Sequence, residues 1–480
     1  MVVTRLGARL VGLVGTLVIT RFLSPEVMGE VGVAVVAVLT AQFASDFAFG
    51  QYIVVKSKDD PAAVFHAFFF NLISTILAAI TLLLVAGPLG DLLGAEEMER
   101  YLPVMVLSMV LERLARIPES IALRELRFKL FSVASAMSEI AYVGVSLGMA
   151  AAGYGGDSIV WANVAQYGLR LLWLGTAVER SLWFHPVRLT WQQTRAMFRF
   201  GIPLAVGNVA HYCSTSWDRL VVTGLFGTRV HGIYALGKSL SSVPADNIGD
   251  AVADVLMPSF VRMTPEEARV AVVKACHLVA VVVYPMAAGL AAISPTLVAA
   301  LFNAEWAGIA TPLTILAAVS LIDPMGDTMS SYLKARDMPW AVMVVQISYL
   351  GVLLGSTFAL GYYFGLYGAC FGVGVGMAYR AFAALYAAHY YDQVPIGEML
   401  FGLIRVALAA ALMAGAVVGI RSVFTGSLDN VIVALCIEIA VGGIAYVPAV
   451  FLCASPIAKG VIKWIRDRRA GNHDDDDDEP

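Results

Sequence analysis

Long apolar segments recur along the whole chain, separated by short connections rich in charge, glycine or proline. An apolar helix of about 20 residues crosses the ~30 Å hydrocarbon core of a bilayer, so this pattern predicts an all-α polytopic membrane protein. The connections are too short to hold a soluble domain. The pattern predicts fourteen transmembrane helices, at about residues 7–23, 29–49, 62–87, 101–123, 130–152, 157–179, 200–224, 231–260, 271–293, 309–333, 340–361, 365–390, 397–420 and 430–453.

The composition supports a membrane protein and excludes several other classes of protein. Of the 480 residues, 59% are hydrophobic and 14% are charged, whereas about 25% of the residues of a soluble domain carry charge. The net charge is −4, so we expect no nucleic-acid partner. The five cysteines lie in apolar segments without a CxxC pair, and we therefore expect neither a disulfide framework nor a metal site. We also expect no cofactor.

Lysine and arginine are distributed unevenly between alternate connections. Twenty-one of the 32 basic residues fall on one side of the predicted membrane and four on the other. Cytoplasmic connections of membrane proteins are enriched in these residues, so both termini are predicted to lie in the cytoplasm. After the last span, residues 456–480 are first basic and then acidic, which is typical of a tail at the cytoplasmic surface.

Three pairs of short segments indicate an internal repeat. The pairs, at offsets of 209, 210 and 203, are Leu92–Glu97 with Leu301–Trp306, Leu123–Leu126 with Leu333–Arg336, and Gly29 with Gly232. An even number of spans in each repeat makes the repeats parallel, and transporters built in this way bind substrate between their halves. We therefore predict a six-helix lobe at 1–180, a second at 181–392, two further helices at 393–455 and the tail at 456–480.

Five stretches of sequence carry a family resemblance. They are Arg21–Gly29, Leu123–Phe128, Phe200–Pro203 with Asp218 later in the same span, Gly232–Tyr234 and Ala304–Trp306. In this order they resemble the Wzx-type polysaccharide flippases of the multidrug/oligosaccharidyl-lipid/polysaccharide (MOP) superfamily, over about residues 5–390.

The resemblance implies a transporter of the bacterial inner membrane and not an enzyme. Its substrate would be an undecaprenyl-diphosphate-linked oligosaccharide, turned from the cytoplasmic to the periplasmic leaflet for surface polysaccharide export. The resemblance further implies alternating access coupled to H⁺ or Na⁺, contact with membrane lipids, and polysaccharide polymerase or export proteins as partners. The family offers no short motif whose residues can be carried over, so the candidate site rests on charges within the spans.

Seven basic residues fall within the predicted spans. A charge at a helix centre costs about 2.5–3.5 kcal/mol on insertion scales, so these side chains should face protein or water. Arginine binds phosphate oxygens through paired hydrogen bonds. We therefore predict a cavity for the diphosphate and first sugars, lined by Arg113, Arg116, Arg170, Arg219 and Lys238.

Two simpler interpretations of these bases stay open. In the fourth span Glu112, Arg116 and Glu119 follow one helical face, so they could form an ion pair that only stabilises packing. The remaining two bases, Arg380 and Arg405, lie near span ends, where long side chains reach the interface.

Eleven acidic residues within the spans outnumber these bases. Three of them, Asp246, Asp250 and Asp254, share one helical face, and Asp327 follows Asp323 by one turn. Neighbouring carboxylates repel each other unless a proton or cation is present. We therefore predict ion coupling through four acids, unless some of them lie in water at helix ends: Asp218, Asp250, Asp254 and Asp327.

Three other functions are alternatives to a flippase. A MATE-like drug or cation antiporter would share the fold but needs an acidic, aromatic pocket, whereas spans 4 and 6 carry arginine. A membrane enzyme of polysaccharide assembly should carry a large outward loop, and the outward connections here are short. A scaffold protein would not require so many ionisable groups within the spans.

Overall fold

The protein is described from a computed structural model, which covers residues 12, 14–56, 60–424 and 430–455, without the side chains of Lys56, residues 245–258 and Phe424. Three predicted features therefore lie outside the described residues: the beginning of the first span, the side chains of Asp246, Asp250 and Asp254, and the tail at 456–480.

The regular elements of the described ranges are all helices. Residues 14–19 are helical. The helices that follow are α1 (Pro25–Ser45), α2 (Phe49–Lys56), α3 (Pro61–Leu93), α4 (Met98–Arg124), α5 (Phe128–Ala151), α6 (Asp157–Ala177), α7 (Arg180–Trp183), α8 (Trp191–Phe226), α9 (Thr228–Val261), α10 (Pro265–Leu301), α11 (Ala310–Val319), α12 (Asp323–Ala335), α13 (Pro339–Asp392), α14 (Ile396–Phe424) and α15 (Val431–Cys453), with 3₁₀ turns at Ala304–Ile309 and Ser320–Ile322.

Length and apolar composition confirm the all-α membrane class. Within the described residues, eight helical segments are long and apolar enough to cross a membrane. Other helices, such as α4 and α8, carry more polar residues, because they hold the charges discussed below. The exact number of fourteen spans stays a prediction.

Helix α13 joins two of the predicted spans, 340–361 and 365–390, across a kink. The kink lies at Gly365, whose φ of 66° belongs to the left-handed region that favours glycine. Exposed aromatic side chains surround the kink, and others lie near both ends of the helix. Tryptophan and tyrosine collect at membrane interfaces. From Trp340 to Tyr362 the helix rises about 33 Å, which matches one crossing of the hydrocarbon core.

The chain forms two compact units, Met1–Ala235 (unit 1) and Leu236–Pro480 (unit 2). The boundary lies inside α9, whereas the lobe boundary near 180 was predicted from sequence and stays a prediction. The main apolar core of unit 1 joins α1, α3, α4 and α6 around side chains such as Leu102 and Met109, and a second core forms around Phe49 and Ile117.

Unit 2 has a core built from α10, α12, α13, α14 and α15. At one edge of this core lies Asp392, the last residue of α13, which is 6% exposed. Its carboxylate accepts hydrogen bonds from the Tyr332 hydroxyl at 2.5 Å, from Arg336 Nε at 2.8 Å and from Arg269 Nε at 3.4 Å. One carboxylate therefore ties together the ends of α10, α12 and α13.

Two glycines that match in the sequence repeat contact each other within unit 1. A Cβ on Gly29 of α1 would collide with the carbonyl oxygen of Thr228 and lie 3.1 Å from the nitrogen of Gly232. A Cβ on Gly232 of α9 would collide with the carbonyl oxygen of Pro25 and lie 3.2 Å from the nitrogen of Gly29. The offset of 203 that relates the glycines also relates Pro25 to Thr228, so the contact is reciprocal.

We predict that Gly29→Ala destabilises the protein by about 1–3 kcal/mol, because the added methyl group meets backbone that cannot rotate away. Thermal unfolding of the detergent-solubilised protein measures the effect. The matched control is Gly207→Ala in α8, where a Cβ would have no neighbour within 4 Å. An equal melting temperature for Gly29→Ala and the control would contradict the close approach of α1 and α9.

We also predict that Asp392→Asn lowers the stability of unit 2 by about 3 kcal/mol, because it leaves two arginines beside a neutral amide. Glu398→Gln is the control, since Glu398 lies exposed in the first turn of α14. Protease susceptibility of the connections in unit 2, measured against temperature, reports the change. Unchanged susceptibility would show that Asp392 does not hold these helix ends together.

Candidate functional site

Helix α4 carries two arginines and two carboxylates through the interior of unit 1. Glu112, Arg113 and Glu119 are each less than 10% exposed. Glu112 Oε1 lies 3.7 Å from Arg116 Nε, one turn away, as the spacing along the helix predicted. The two arginines nevertheless have different environments, because consecutive turns of α4 face different neighbours.

Arg113 is 2% exposed and enclosed by protein. Its Nη1 lies 3.0 Å from Oδ2 of Asp46, which follows the end of α1, and its Nη2 donates to the carbonyl oxygen of Gln42. The carbonyl oxygen of Arg113 accepts from Asn71 Nδ2 at 2.9 Å. Arg113 therefore connects α4 to α1 and α3, and its guanidinium is enclosed.

Arg116 keeps a more open position. Its side chain is 39% exposed, and its carboxylate neighbours are Glu112 at 3.7 Å and Asp46 at 4.0 Å. Both distances exceed those of a strong charge-assisted hydrogen bond, which runs at about 2.7–2.9 Å. The same two carboxylates have Arg113 at 3.6 and 3.0 Å, so they do not depend on Arg116 alone.

Arg170 of α6 joins this group through Glu119. Its Nη2 donates to Glu119 Oε1 at 2.9 Å, and its guanidinium lies 5.8 Å from the centre of the Phe131 ring. With Asp46, Glu112 and Glu119 against Arg113, Arg116 and Arg170, three acids face three bases. The sequence predicted a cationic lining, but these formal charges balance, and Arg116 is the most exposed of the three arginines.

Arg219 belongs to a second polar network, on α8 and the beginning of α9. Asp218 is fully buried and accepts a hydrogen bond from the Tyr234 hydroxyl, and Thr223 Oγ1 lies 2.6 Å from Nδ1 of His231. Arg219 is half-buried, and its buried Nε has no hydrogen-bond partner among the described residues. His211, two turns earlier on α8, is exposed, whereas Asp218 is enclosed.

Unit 2 holds the remaining predicted residues. Lys238 is half-buried in α9. Asp327 accepts from Arg380 Nη1 at 2.8 Å, and Asp323 accepts from Arg380 Nη2 at 2.7 Å. Of the two carboxylates, Asp327 is 51% exposed and Asp323 only 16%. The Arg380 guanidinium is held between these two carboxylates, with its Cζ 5.5 Å from the centre of the Tyr349 ring, and its position at the membrane interface stays a prediction.

An ion pair between Arg421 and Glu438 changes the balance of acids and bases within the spans that the sequence predicted. Arg421 is one of the four basic residues that the sequence places in outward connections, but Glu438 Oε1 accepts from its Nε at 2.8 Å and from Thr296 Oγ1 at 2.8 Å. Glu438 is 3% exposed. The surplus of acids over bases within the spans is therefore smaller than the sequence predicted.

The two repeats use the same arrangement of opposite charges. Arg170 and Arg380 lie at an offset of 210, equal to that of the Leu123 and Leu333 segments. Arg170 bonds an acid of α4, and Arg380 bonds acids of α12, the helix that matches α4 in the repeat. Sequence reasoning missed these pairs, although the shared offset was a signal that could have revealed them. Sequence reasoning also missed the hydrogen-bond partners of Arg113 and Asp218, which are Gln42, Asn71 and Tyr234.

A metal-dependent site has no support in the part of the chain that the structure describes. No three side chains of His, Cys, Asp or Glu come together there in a group that could hold a metal ion. What the described geometry offers is a partly exposed arginine side chain in the charge cluster of unit 1, at Arg116, and an exposed carboxylate in unit 2, at Asp327.

Two characterised sequences are similar to this chain. The succinoglycan biosynthesis transport protein ExoT of Rhizobium meliloti (strain 1021) is 24% identical over 459 residues, which cover 94% of this chain and 91% of that protein. The lipopolysaccharide biosynthesis protein WzxC of Escherichia coli (strain K12) is 22% identical over 329 residues, with coverages of 68% and 66%.

Solved structures share the fold. The lipid II flippase MurJ, in an inward closed conformation, matches with a TM-score of 0.75 and 14% identity, over 94% of this chain and 97% of that one. An inward-facing multidrug resistance MATE family transporter of the MOP superfamily matches with a TM-score of 0.61 and 15% identity, over 85% and 98%. At these identities the structures establish the fold alone, and that fold is the one predicted from the sequence.

The family match extends across both units, over residues 18–311. It confirms the resemblance to polysaccharide export proteins that five short stretches of sequence indicated. Because the matched residues make up more than half of the chain, the protein belongs to the polysaccharide biosynthesis protein family.

Proposed function

We propose that this protein flips undecaprenyl-diphosphate-linked oligosaccharides across the inner membrane, for the export of a surface polysaccharide. The family, and relatives named as a biosynthesis transport protein and a lipid II flippase, support transport of a lipid-linked saccharide. Both termini lie in the cytoplasm, as the distribution of lysine and arginine indicates. Polysaccharide polymerase or export proteins act with it.

The observation that carries this proposal is the partly exposed side chain of Arg116, which is 39% accessible although it lies among the charges inside unit 1. An exposed cation within the spans is expensive unless it faces water or a ligand. Its neighbouring carboxylates already have Arg113, so a diphosphate can replace them at Arg116 without leaving either acid unpaired. An arginine in that position offers paired N–H groups to phosphate oxygens.

The other predicted bases take different roles in the proposed site. Arg113 holds α4 in place, because its guanidinium is enclosed by Asp46 and Gln42. Arg170 positions Glu119 and binds substrate only where that ion pair opens. Arg219, with one buried N–H free of a hydrogen bond within the described residues, is a further phosphate or sugar contact in unit 1. In unit 2 the half-buried Lys238 is a candidate for a contact of the same kind.

We further propose that the transport cycle is an alternating-access cycle driven by H⁺ or Na⁺. The exposed Asp327 is the candidate acid in unit 2, because it is the more accessible of the two carboxylates on Arg380. A proton or cation at Asp327 would weaken its bond to Arg380 and leave Asp323 in place. Asp218, Asp250 and Asp254 are the other candidate acids, on α8 and α9.

We expect Arg116→Gln to reduce flipping about 10- to 100-fold, which corresponds to the loss of one charge-assisted hydrogen bond to phosphate. The assay follows a fluorescent lipid-linked oligosaccharide in proteoliposomes. Stability should hardly change, whereas Arg113→Gln should cost about 3–5 kcal/mol because it leaves Asp46 poorly paired.

Arg405→Gln is the matched control for Arg116→Gln. Arg405 is also a helical arginine within a span, but its guanidinium lies 4.1 Å from the centre of the Phe401 ring and no carboxylate among the described residues pairs with it. Flipping should survive this change. Full activity of Arg116→Gln, or an equal loss in the control, would reject Arg116 as the phosphate contact.

For ion coupling, we expect an imposed pH or Na⁺ gradient to accelerate flipping by the wild type and not by Asp327→Asn. The variant keeps Arg380 bonded to Asp323, so it should retain the slow transport seen without a gradient. Asp91→Asn, at an exposed acid near the end of α3, is the control and should respond like the wild type. Flux that ignores both gradients in the wild type would refute ion coupling.

A further inference from the structure

Unit 1 contains an apolar groove of about 810 Å³ at the beginning of α8. Phe70 of α3 and Leu189, ahead of α8, form part of its lining. The remainder of the lining comes from Thr190 and from the first turns of α8, and it includes Trp191, Phe198 and Ile202. Trp191 is 78% exposed and Ile202 48% exposed, so the groove opens to the surroundings of the protein.

Two arginines line the same groove. Arg195 and Arg199 are one turn apart and lie on the helical face that also holds Trp191 and Ile202, because these positions are separated by three or four residues. Both arginines are exposed, and neither forms an ion pair with a carboxylate of the described residues. Arg113, Arg170 and Arg380, by contrast, each contact a carboxylate.

The position of this face along α8 places it at the membrane interface. Helix α8 has 36 residues and is therefore about 54 Å long, well beyond the ~30 Å of a hydrocarbon core. The apolar span predicted from the sequence begins at residue 200, so the segment 191–199 extends out of it on the side where both termini are predicted. That side carries most of the basic residues of the connections.

The groove is held in place by hydrogen bonds between the beginnings of α3 and α8. His66 is 1% exposed. Its Nε2 accepts a hydrogen bond of 2.8 Å from the backbone N–H of Thr190. Its Nδ1 lies 2.7 Å from the carbonyl oxygen of Ala62. Gln193 Nε2 donates to Asp60 Oδ2 at 3.1 Å. Thr190 precedes the first residue of α8, so these bonds fix where the groove face begins.

We propose that this groove binds an anionic phospholipid of the cytoplasmic leaflet. The phosphate lies on Arg195 and Arg199, and one acyl chain packs against Phe70, Phe198 and Ile202. Basic pockets between transmembrane helices on the cytoplasmic side are suited to anionic lipid head groups. Guanidinium groups that pair with no carboxylate of the described residues, next to an apolar lining, match a ligand that has both an anionic and an apolar part. A free phosphate would leave the apolar lining in contact with water.

Trp191 provides a direct measurement of lipid in the groove. Bromine atoms on an acyl chain quench a tryptophan that they contact, and the difference between the wild type and Trp191→Phe isolates the signal of Trp191. The full-length protein is placed in phosphatidylcholine nanodiscs, and brominated phosphatidylglycerol or brominated phosphatidylcholine is added. Each arginine near an anionic surface strengthens binding about fivefold, so half-maximal quenching should need about 25-fold less of the anionic lipid.

Arg195→Gln together with Arg199→Gln should remove the difference between the two lipids. The control is Arg180→Gln together with Arg188→Gln, which removes two charges from the same connection but none from the groove lining, and it should keep the difference. Equal quenching by the two lipids in the wild type would overturn the proposal without any variant. The proposal would also be overturned if a polyprenyl diphosphate displaced the brominated lipid and unlabelled phosphatidylglycerol did not. The groove would then be a substrate site.

Discussion

The structure depends on one constraint, which is that a charge within the bilayer must find an opposite charge, a hydrogen bond or water. In unit 1 this constraint produces the ion pairs of α4 with Asp46 and Arg170. In unit 2 it produces the pairs of Arg380 and Arg421. In all of these pairs except Arg421–Glu438, the two partners are more than fifty residues apart in the sequence. The charges that make the protein unusual for a membrane protein therefore also fix which helices are neighbours.

Because most of these charges satisfy each other inside the protein, the few that stay accessible are the candidates for function. Arg116 and Asp327 are the more exposed members of their clusters. When either exchanges partners, a neighbouring ion pair stays in place: Arg113 with Asp46 in unit 1, and Arg380 with Asp323 in unit 2. A site of this kind can bind and release a charged ligand without unfolding its surroundings. The enclosed Arg113 cannot do so, because its departure would leave Asp46 and Gln42 unsatisfied.

The internal repeat is visible in contacts as well as in sequence. Gly29 and Gly232 contact each other reciprocally, and backbone meets backbone there because neither residue has a Cβ. Arg170 and Arg380 bond acids on matching helices. The repeat is not complete, however, since Asp392 gathers two arginines and a tyrosine in unit 2, and the matching position in unit 1, at the same offset of 210, is Leu182.

The sequence by itself determined the membrane class, the approximate positions of the helices and the family, because apolar length, charged connections and short motifs are local properties of the chain. It also identified which residues carry charge into the spans. Only the tertiary structure decided how those charges are paired. The spacing of α4 could place Arg113 and Arg116 next to each other, but Asp46 and Gln42 reach Arg113 through the packing of α1, and Arg380 meets Asp323 across more than fifty residues. Such contacts depend on which helix faces pack together, and helical periodicity within one segment contains no information about its partner.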